Sequence, residues 1–206
     1  MNFYVIFPLL LAQVYSHGYL KEPISRTSLH LRPEFDAPPP YYWDNSAIWC
    51  GNVNQDLALS GCGRCGDVLG ETHFQQGGEY DKGIIVANYT AGSIIEVTAN
   101  FQAAHYGSFQ VELCPQEEET DFCFQLLNIV DGSEQIRIDN RICVPHDNSQ
   151  NVDVIAHVLL PAGVRCNRCT LRWTYRTSYP GWEGYDICFN PHPAQVFRNC
   201  ADIGIY

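Results

Sequence analysis

The sequence predicts an all-β fold, an antiparallel β-sandwich with long loops that disulfide bonds hold in place. Apolar residues occur in short runs bounded by glycine, proline, asparagine and aspartate, a pattern typical of strands. These runs recur at regular spacing, which is typical of sandwiches, and ten cysteines are available to staple the loops. The expected strands are residues 83–89, 93–100, 108–114, 134–144, 151–160 and 170–175.

Residues 17–65 lack this regular spacing of short apolar runs and are rich in proline and aromatic side chains. We expect a long loop region there, with one short helix. Long ordered loops on a rigid sandwich are a common location for functional residues.

Residues 1–16 have the pattern of a secretory signal peptide. Residues 3–12 form an almost unbroken apolar run that is too short to span a bilayer, although no basic residue precedes it. Val14 and Ser16 then occupy the two positions that signal peptidase inspects. Cleavage after Ser16 would leave residues 17–206 as one secreted domain that begins with His17.

All ten cysteines follow the predicted cleavage site, so the sequence predicts disulfide bonds in an extracellular protein. Two Cys-x-x-Cys pairs, at 62/65 and 166/169, leave a structural zinc site as a weaker alternative. The sequence Asn88-Tyr89-Thr90 predicts N-glycosylation of Asn88.

The formal net charge of −11 argues against nucleic acid and anionic lipid as partners, because an acidic surface repels phosphate. No second apolar segment is long enough to cross a membrane. We expect a monomer, and the charge leaves a neutral or weakly cationic polymer open as a partner.

A histidine at a free N-terminus offers two nitrogens to one metal, its α-amine and a ring nitrogen. One further imidazole would complete a set of three nitrogens, which suits a single copper ion. His105 is the favoured second ligand, because the small residues Ala103, Ala104 and Gly107 leave room for a metal. The other histidines have less supportive surroundings; they are His30, His73, His146, His157 and His192.

Five short motifs in a fixed order resemble the lytic polysaccharide monooxygenases of auxiliary activity family 15. The motifs are His17-Gly18-Tyr19-Leu20, Pro23-Ile24-Ser25-Arg26, Cys62-Gly63-Arg64-Cys65-Gly66-Asp67, His105-Tyr106-Gly107-Ser108-Phe109 and Phe197-Arg198-Asn199-Cys200-Ala201-Asp202-Ile203. The resemblance implies an immunoglobulin/fibronectin III-like sandwich with one copper ion on a flat face. It also implies oxidative cleavage of glycosidic bonds in crystalline chitin or cellulose, with an external electron donor and with O2 or H2O2 as co-substrate.

Carried over to this sequence, the resemblance makes His17 and His105 the copper ligands, an arrangement called the histidine brace. Phe197 corresponds to the catalytic-site aromatic residue on one axial side of the copper, and Ala103 to a small residue that shapes the other. One departure concerns Thr98-Ala99-Asn100, which commonly stands directly before the second histidine in the family; here residues 101–104 intervene.

Tyr41, Tyr42 and Trp43 form an aromatic run after three prolines and are candidate substrate-binding residues. Aromatic side chains can stack on sugar rings, but they can equally pack a loop onto the sandwich. We expect Trp49 and Trp173 to lie in the core.

Two alternatives belong to other functional classes. One is a non-catalytic chitin-binding protein, and the other is a secreted copper-binding protein on the same fold. A hydrolase is less well supported, because no two acidic residues pair in a recognisable catalytic pattern.

Overall fold

The computed structural model describes residues 17–52, 61–137, 139–147, 151–178, 186–188 and 195–206. Two packed sheets of almost entirely antiparallel strands confirm the predicted sandwich. The strands are β1 (His17–Glu22), β2 (Trp49–Asn52), β3 (Ala87–Tyr89), β4 (Ile94–Ala103), β5 (Ser108–Cys114), β6 (Gln125–Leu126), β7 (Asn128–Gly132), β8 (Ile142–Cys143), β9 (Val152–Leu159), β10 (Cys166–Arg176) and β11 (Gln195–Ile205). The predicted signal peptide, residues 1–16, lies outside the described residues.

The smaller sheet has four strands in the order β1-β4-β9-β7, and the larger has seven. In the larger sheet the order is β2-β11-β10-β5-β6; β8 also pairs with β5, and β3 pairs in parallel with β11. The C-terminal ends of β4 and β10 and the N-terminal end of β1 lie at the same end of the sandwich, close to residue 105.

The predicted strand 108–114 is confirmed without a shift, and those at 93–100, 151–160 and 170–175 are confirmed with displaced ends. The single strand predicted at 134–144 is wrong. Arg137 donates its backbone N–H to the Arg141 carbonyl at 2.7 Å, and Asn140 has a φ of 57°. The chain therefore turns back, and only the residues of β8 join the sheet.

The described residues of the segment 17–65 are more ordered than a loop. They contain β1, β2 and two 3-10 helices, Arg26–Leu31 and Pro33–Phe35. A buried ion cluster fastens the first helix to the sandwich: Arg26 contacts Asp202 at 2.7 Å and Glu119 at 2.9 Å. Burial alone would lower the pKa of Arg26, but the hydrogen bonds and charges of these carboxylates outweigh it and raise the pKa.

The core between the sheets is built on aromatic side chains that are fully buried, among them Phe101, Phe109 and Trp173. Five disulfide bonds account for all ten cysteines, which confirms the disulfide framework. Only one of the two Cys-x-x-Cys pairs forms a disulfide within itself, Cys166 with Cys169. In the other pair, Cys62 bonds to Cys50 and Cys65 bonds to Cys200. In the described part of the chain, no helix has the length and apolar character needed to cross a membrane.

Candidate metal centre

His17 opens the edge strand β1 and lies opposite Ala103 on β4. His105 follows Ala103 by two residues, so this pairing places the two predicted ligands at the same end of the smaller sheet. The next residue, Gly18, donates its N–H to the Ser46 carbonyl at 2.8 Å. A Cβ at Gly18 would lie 2.8 Å from the Phe101 ring, so only glycine allows this close pairing of β1 with β4.

His105 is 1% exposed, and contacts on both its backbone and its ring fix its position. Its N–H donates to the Tyr175 hydroxyl at 3.2 Å, and its carbonyl accepts from the Ser178 N–H at 3.1 Å. Its Nδ1 lies 3.0 Å from the carboxylate oxygen Oδ1 of Asp147. Because an ionised carboxylate accepts hydrogen bonds, the tautomer that satisfies this contact has its proton on Nδ1, and the lone pair that a metal needs is then on Nε2.

The turn that follows His105 has a constrained backbone. Tyr106 and Gly107 both have positive φ, 47° and 103°. A Cβ at Gly107 would lie 2.0 Å from the Arg176 carbonyl oxygen, so this position requires glycine. The turn is also held from outside, because Tyr106 donates its N–H to the His146 carbonyl and Gly107 donates to the Ile187 carbonyl, both at 2.7 Å.

Phe197 lies in the aromatic layer beneath this turn. It is fully buried on β11 and pairs with Tyr175 on β10, with the two ring centroids 5.9 Å apart. The Tyr175 hydroxyl also donates to the Tyr106 carbonyl, so it bridges both sides of the turn. A phenyl ring has no ligating atom, and Phe197 can therefore shield a metal but cannot bind it.

The histidines in the described residues differ in burial, and this difference favours His105. His30, His73, His146 and His157 are at least partly exposed. Three of these four face carboxylates at 3.3 to 3.6 Å, as surface histidines commonly do, and burial lowers the pKa of His30. His192 lies outside the described residues.

The predicted substrate-binding run 41–43 divides into two groups. Tyr41 and Trp43 pack around His30 with centroid distances of 5.1 to 5.8 Å, and Trp43 is 74% exposed. Tyr42 instead contacts the ring of Phe74 at 5.0 Å. The run is therefore not one stacking platform.

The structure also shows the burial of Trp173, Trp49 and Asn88. The core position of Trp173 is confirmed, but the one expected for Trp49 is wrong, because Trp49 is 47% exposed on the edge strand β2. Asn88 lies exposed on β3, and its glycosylation stays a prediction.

Sequence reasoning missed the two residues that hold His105 most directly. Asp147 is 42 positions away and lies in an irregular segment after Pro145, where no pattern marks it. Tyr175 alternates with Trp173 along a strand, which indicates a core residue and does not reveal the function of its hydroxyl group.

The donor set at this end of the sandwich fits a copper ion. Two imidazoles are available, together with the α-amine that a free terminus at His17 would provide, and nitrogen sets of this kind suit copper. A histidine whose other ring nitrogen is bound to a carboxylate is also a common arrangement in metal sites.

Comparison with known proteins agrees with this assignment. The family model described as lytic polysaccharide mono-oxygenase, cellulose-degrading, matches residues 17–203. A lytic polysaccharide monooxygenase AA15 from Thermobia domestica, solved in the Cu(I) state, is 33% identical with a TM-score of 0.70. The alignment covers 92% of this chain and 98% of that chain.

A second structure, of AvmM, which catalyses macrocyclization in alchivemycin A biosynthesis, is 12% identical with a TM-score of 0.28, too low to support an inference. That alignment covers 57% of this chain and 83% of that chain. No curated protein sequence matches significantly. Since both the family match and the Thermobia structure extend over most of this chain, it belongs to the lytic polysaccharide monooxygenases of auxiliary activity family 15, which are copper-dependent oxidoreductases.

Proposed function

We propose that the chain is secreted, is cleaved after Ser16 and oxidatively cleaves glycosidic bonds in insoluble chitin or cellulose. The observation that carries this proposal is the pairing of His17 with Ala103, because it puts His17 at the same end of the sheet as the buried His105, which contacts Asp147. The family match that begins at residue 17 supports the same terminus. Family membership favours this enzyme over the chitin-binding and copper-binding alternatives.

In this proposal His17 supplies its α-amine and one ring nitrogen, and His105 supplies Nε2. Cleavage after Ser16 is essential, because the nitrogen of His17 in the uncleaved chain is a peptide nitrogen, a poor ligand. With copper bound, the site takes electrons from an external donor and uses dioxygen or hydrogen peroxide to oxidise a carbon of the glycosidic bond.

The remaining residues hold this geometry and control access to it. Asp147 keeps the proton on Nδ1 of His105 and so directs Nε2 toward the metal. Phe197 excludes water and ligands from the side it covers, whereas the small side chain of Ala103 leaves space beside His17. Tyr41 and Trp43 are the exposed rings we assign to contact with the polysaccharide surface.

The environment of the protein follows from the same proposal. Five disulfide bonds suit an oxidising extracellular compartment, and the exposed Asn88 would carry a glycan there. We expect a monomer, which sedimentation of the secreted protein checks.

The test uses copper-loaded protein that begins at His17, incubated with β-chitin and separately with cellulose in the presence of ascorbate. Mass spectrometry of the soluble products should show oligosaccharides one oxygen heavier than hydrolysis products. These should disappear without ascorbate and in the His105→Ala variant. A preparation that binds one copper but yields no oxidised product from either polymer would contradict the proposal.

A further inference from the structure

A groove of about 370 Å3 lies outside the candidate metal centre. The residues that line it include Trp49 and three aromatic side chains that contact one another, Tyr42, Phe74 and Tyr80, here called the aromatic wall. Its volume lies at the lower end of the range for small-molecule sites, about 300 to 1,000 Å3. The groove therefore has room for a short saccharide segment and not for a crystalline surface.

The aromatic wall is held in place before any ligand binds. The three rings contact one another at centroid distances of 5.0 to 5.5 Å, and Tyr42 meets each of the other two nearly edge-on. Packing of this kind restricts ring rotation. Trp49, at 47% exposure, presents an indole surface that the fold leaves accessible. Pyranose rings have apolar C–H faces that stack on such surfaces.

The rim of the groove is acidic. Its described lining residues include Glu71 and Glu79 and no lysine or arginine. His73 also lines the groove, and its Nδ1 lies 3.3 Å from a carboxylate oxygen of Glu79. Burial raises the pKa of Tyr42, and the negative charges of Asp44 and Glu71 raise it further, as expected in a negative local potential. Such a site attracts a cation, and an ammonium group gains additional attraction from aromatic faces.

The groove is connected to the metal centre through the segment 46–49. Ser46 accepts the hydrogen bond from Gly18 beside His17, and Trp49 lies opposite Phe197 in the pairing of β2 with β11. The same short segment thus contacts the strand of the terminal ligand and lines the groove.

We propose that this groove binds a hexosamine unit with a free amine, the unit that occurs where a chitin-type chain is deacetylated. The sugar stacks on the aromatic side chains that line the groove, and its ammonium group lies near Glu71 and Glu79. This inference rests on the proposed function for its polysaccharide, and it selects an amino-sugar polymer over cellulose.

The test measures binding of three soluble trimers to copper-loaded protein without reductant, by calorimetry and tryptophan fluorescence. The trimers are the glucosamine trimer, its fully N-acetylated form and cellotriose. We expect the glucosamine trimer to bind at least about tenfold more tightly than the other two, because only its amines pair with the carboxylates and the rings.

Variants locate the site. Trp49→Ala should weaken binding of the glucosamine trimer about tenfold, and the double variant Glu71→Gln/Glu79→Gln should remove most of the preference for it. Phe122→Ala is the matched control, because Phe122 is an aromatic side chain that is 90% exposed and does not line the groove. It should leave trimer binding unchanged. All these side chains are at the surface, and melting temperatures verify that each variant is folded.

Equal affinity for the three trimers, or no binding, would overturn the inference, as would a loss of binding in Phe122→Ala but not in Trp49→Ala. Assays of the same preparation on β-chitin separate this failure from failure of the proposed function. Oxidised products without selective trimer binding would refute only the proposal that the groove binds a hexosamine. Selective binding without oxidised products would refute only the proposed activity.

Discussion

The two histidines of the candidate site are held in contrasting ways. His105 is buried, and contacts from distant parts of the chain fix it: Tyr175, Ser178 and Asp147. His17 is half-buried on an edge strand, where its position depends on the pairing of β1 with β4. Tertiary contacts therefore fix the position of His105, whereas strand register fixes that of His17, whose proposed role as a ligand also requires cleavage after Ser16. Changes at His17 and changes around His105 should therefore have different effects on copper binding and on stability.

The largest effect on copper affinity should come from a change at the N-terminal residue, His17. Protein that retains Ser16 should bind copper more weakly by more than about 100-fold, since even changes outside the ligand shell cost about 10 to 100-fold. The melting temperature of the metal-free protein should not change, because no core contact is lost. Calorimetric titration with copper measures the affinity, and protein beginning at His17 is the control. Equal affinity of the two forms would contradict the assignment of the amine as a ligand.

On the buried side, Asp147→Ala should weaken copper binding by about 10 to 100-fold, because the imidazole of His105 loses the carboxylate that orients it. Asp147→Asn retains an oxygen that can accept the hydrogen bond from Nδ1, and it should recover much of the affinity. Electron paramagnetic resonance of the Cu(II) form and its reduction potential provide the measurements. A merely structural role would lower the melting temperature and leave both spectroscopic and redox properties unchanged.

The sequence predicts some features of the two sides of the site and not others. The small residues around His105 and the motif at His17 are local patterns, so the sequence can nominate both residues as candidate ligands. Asp147 was not predictable, since its contact with His105 depends on how two loops meet. The expected strands did not include β11, because the charged residues Arg198 and Asp202 interrupt its apolar pattern, whereas the fold buries both. Asp202 is compensated by its ion pair with Arg26, a partner 176 positions away.

A third prediction concerns the backbone of the turn after His105. Gly107→Ala should lower the free energy of unfolding by about 2 to 4 kcal/mol, because the new methyl group would meet the Arg176 carbonyl at a positive φ. Chemical denaturation measures the change. Gly163→Ala is the matched control, since open space surrounds that Cβ position and its φ is not positive. It should change the stability by no more than about 1 kcal/mol.

The smallest effect isolates one hydroxyl group. Tyr175→Phe keeps the ring against Phe197 and Phe101 but removes the oxygen that accepts from the His105 N–H and donates to the Tyr106 carbonyl. Both backbone groups lie at a buried turn, so we expect a loss of about 1 to 3 kcal/mol. Tyr41→Phe is the control, because the Tyr41 hydroxyl donates to the Ala37 carbonyl in a partly exposed loop; it should lose less than about 1 kcal/mol.

The contrast between the two sides also predicts how Tyr175→Phe affects the metal. Loosening of the His105 turn should shift the Cu(II) resonance spectrum while leaving the α-amine of His17 bound, so copper stoichiometry should stay at one. A spectrum identical to that of the unmodified protein, combined with lost stability, would show that the hydroxyl group supports the fold only. The position of His105 would then depend on Asp147 and Ser178, and the Asp147→Ala variant should show the larger spectroscopic change.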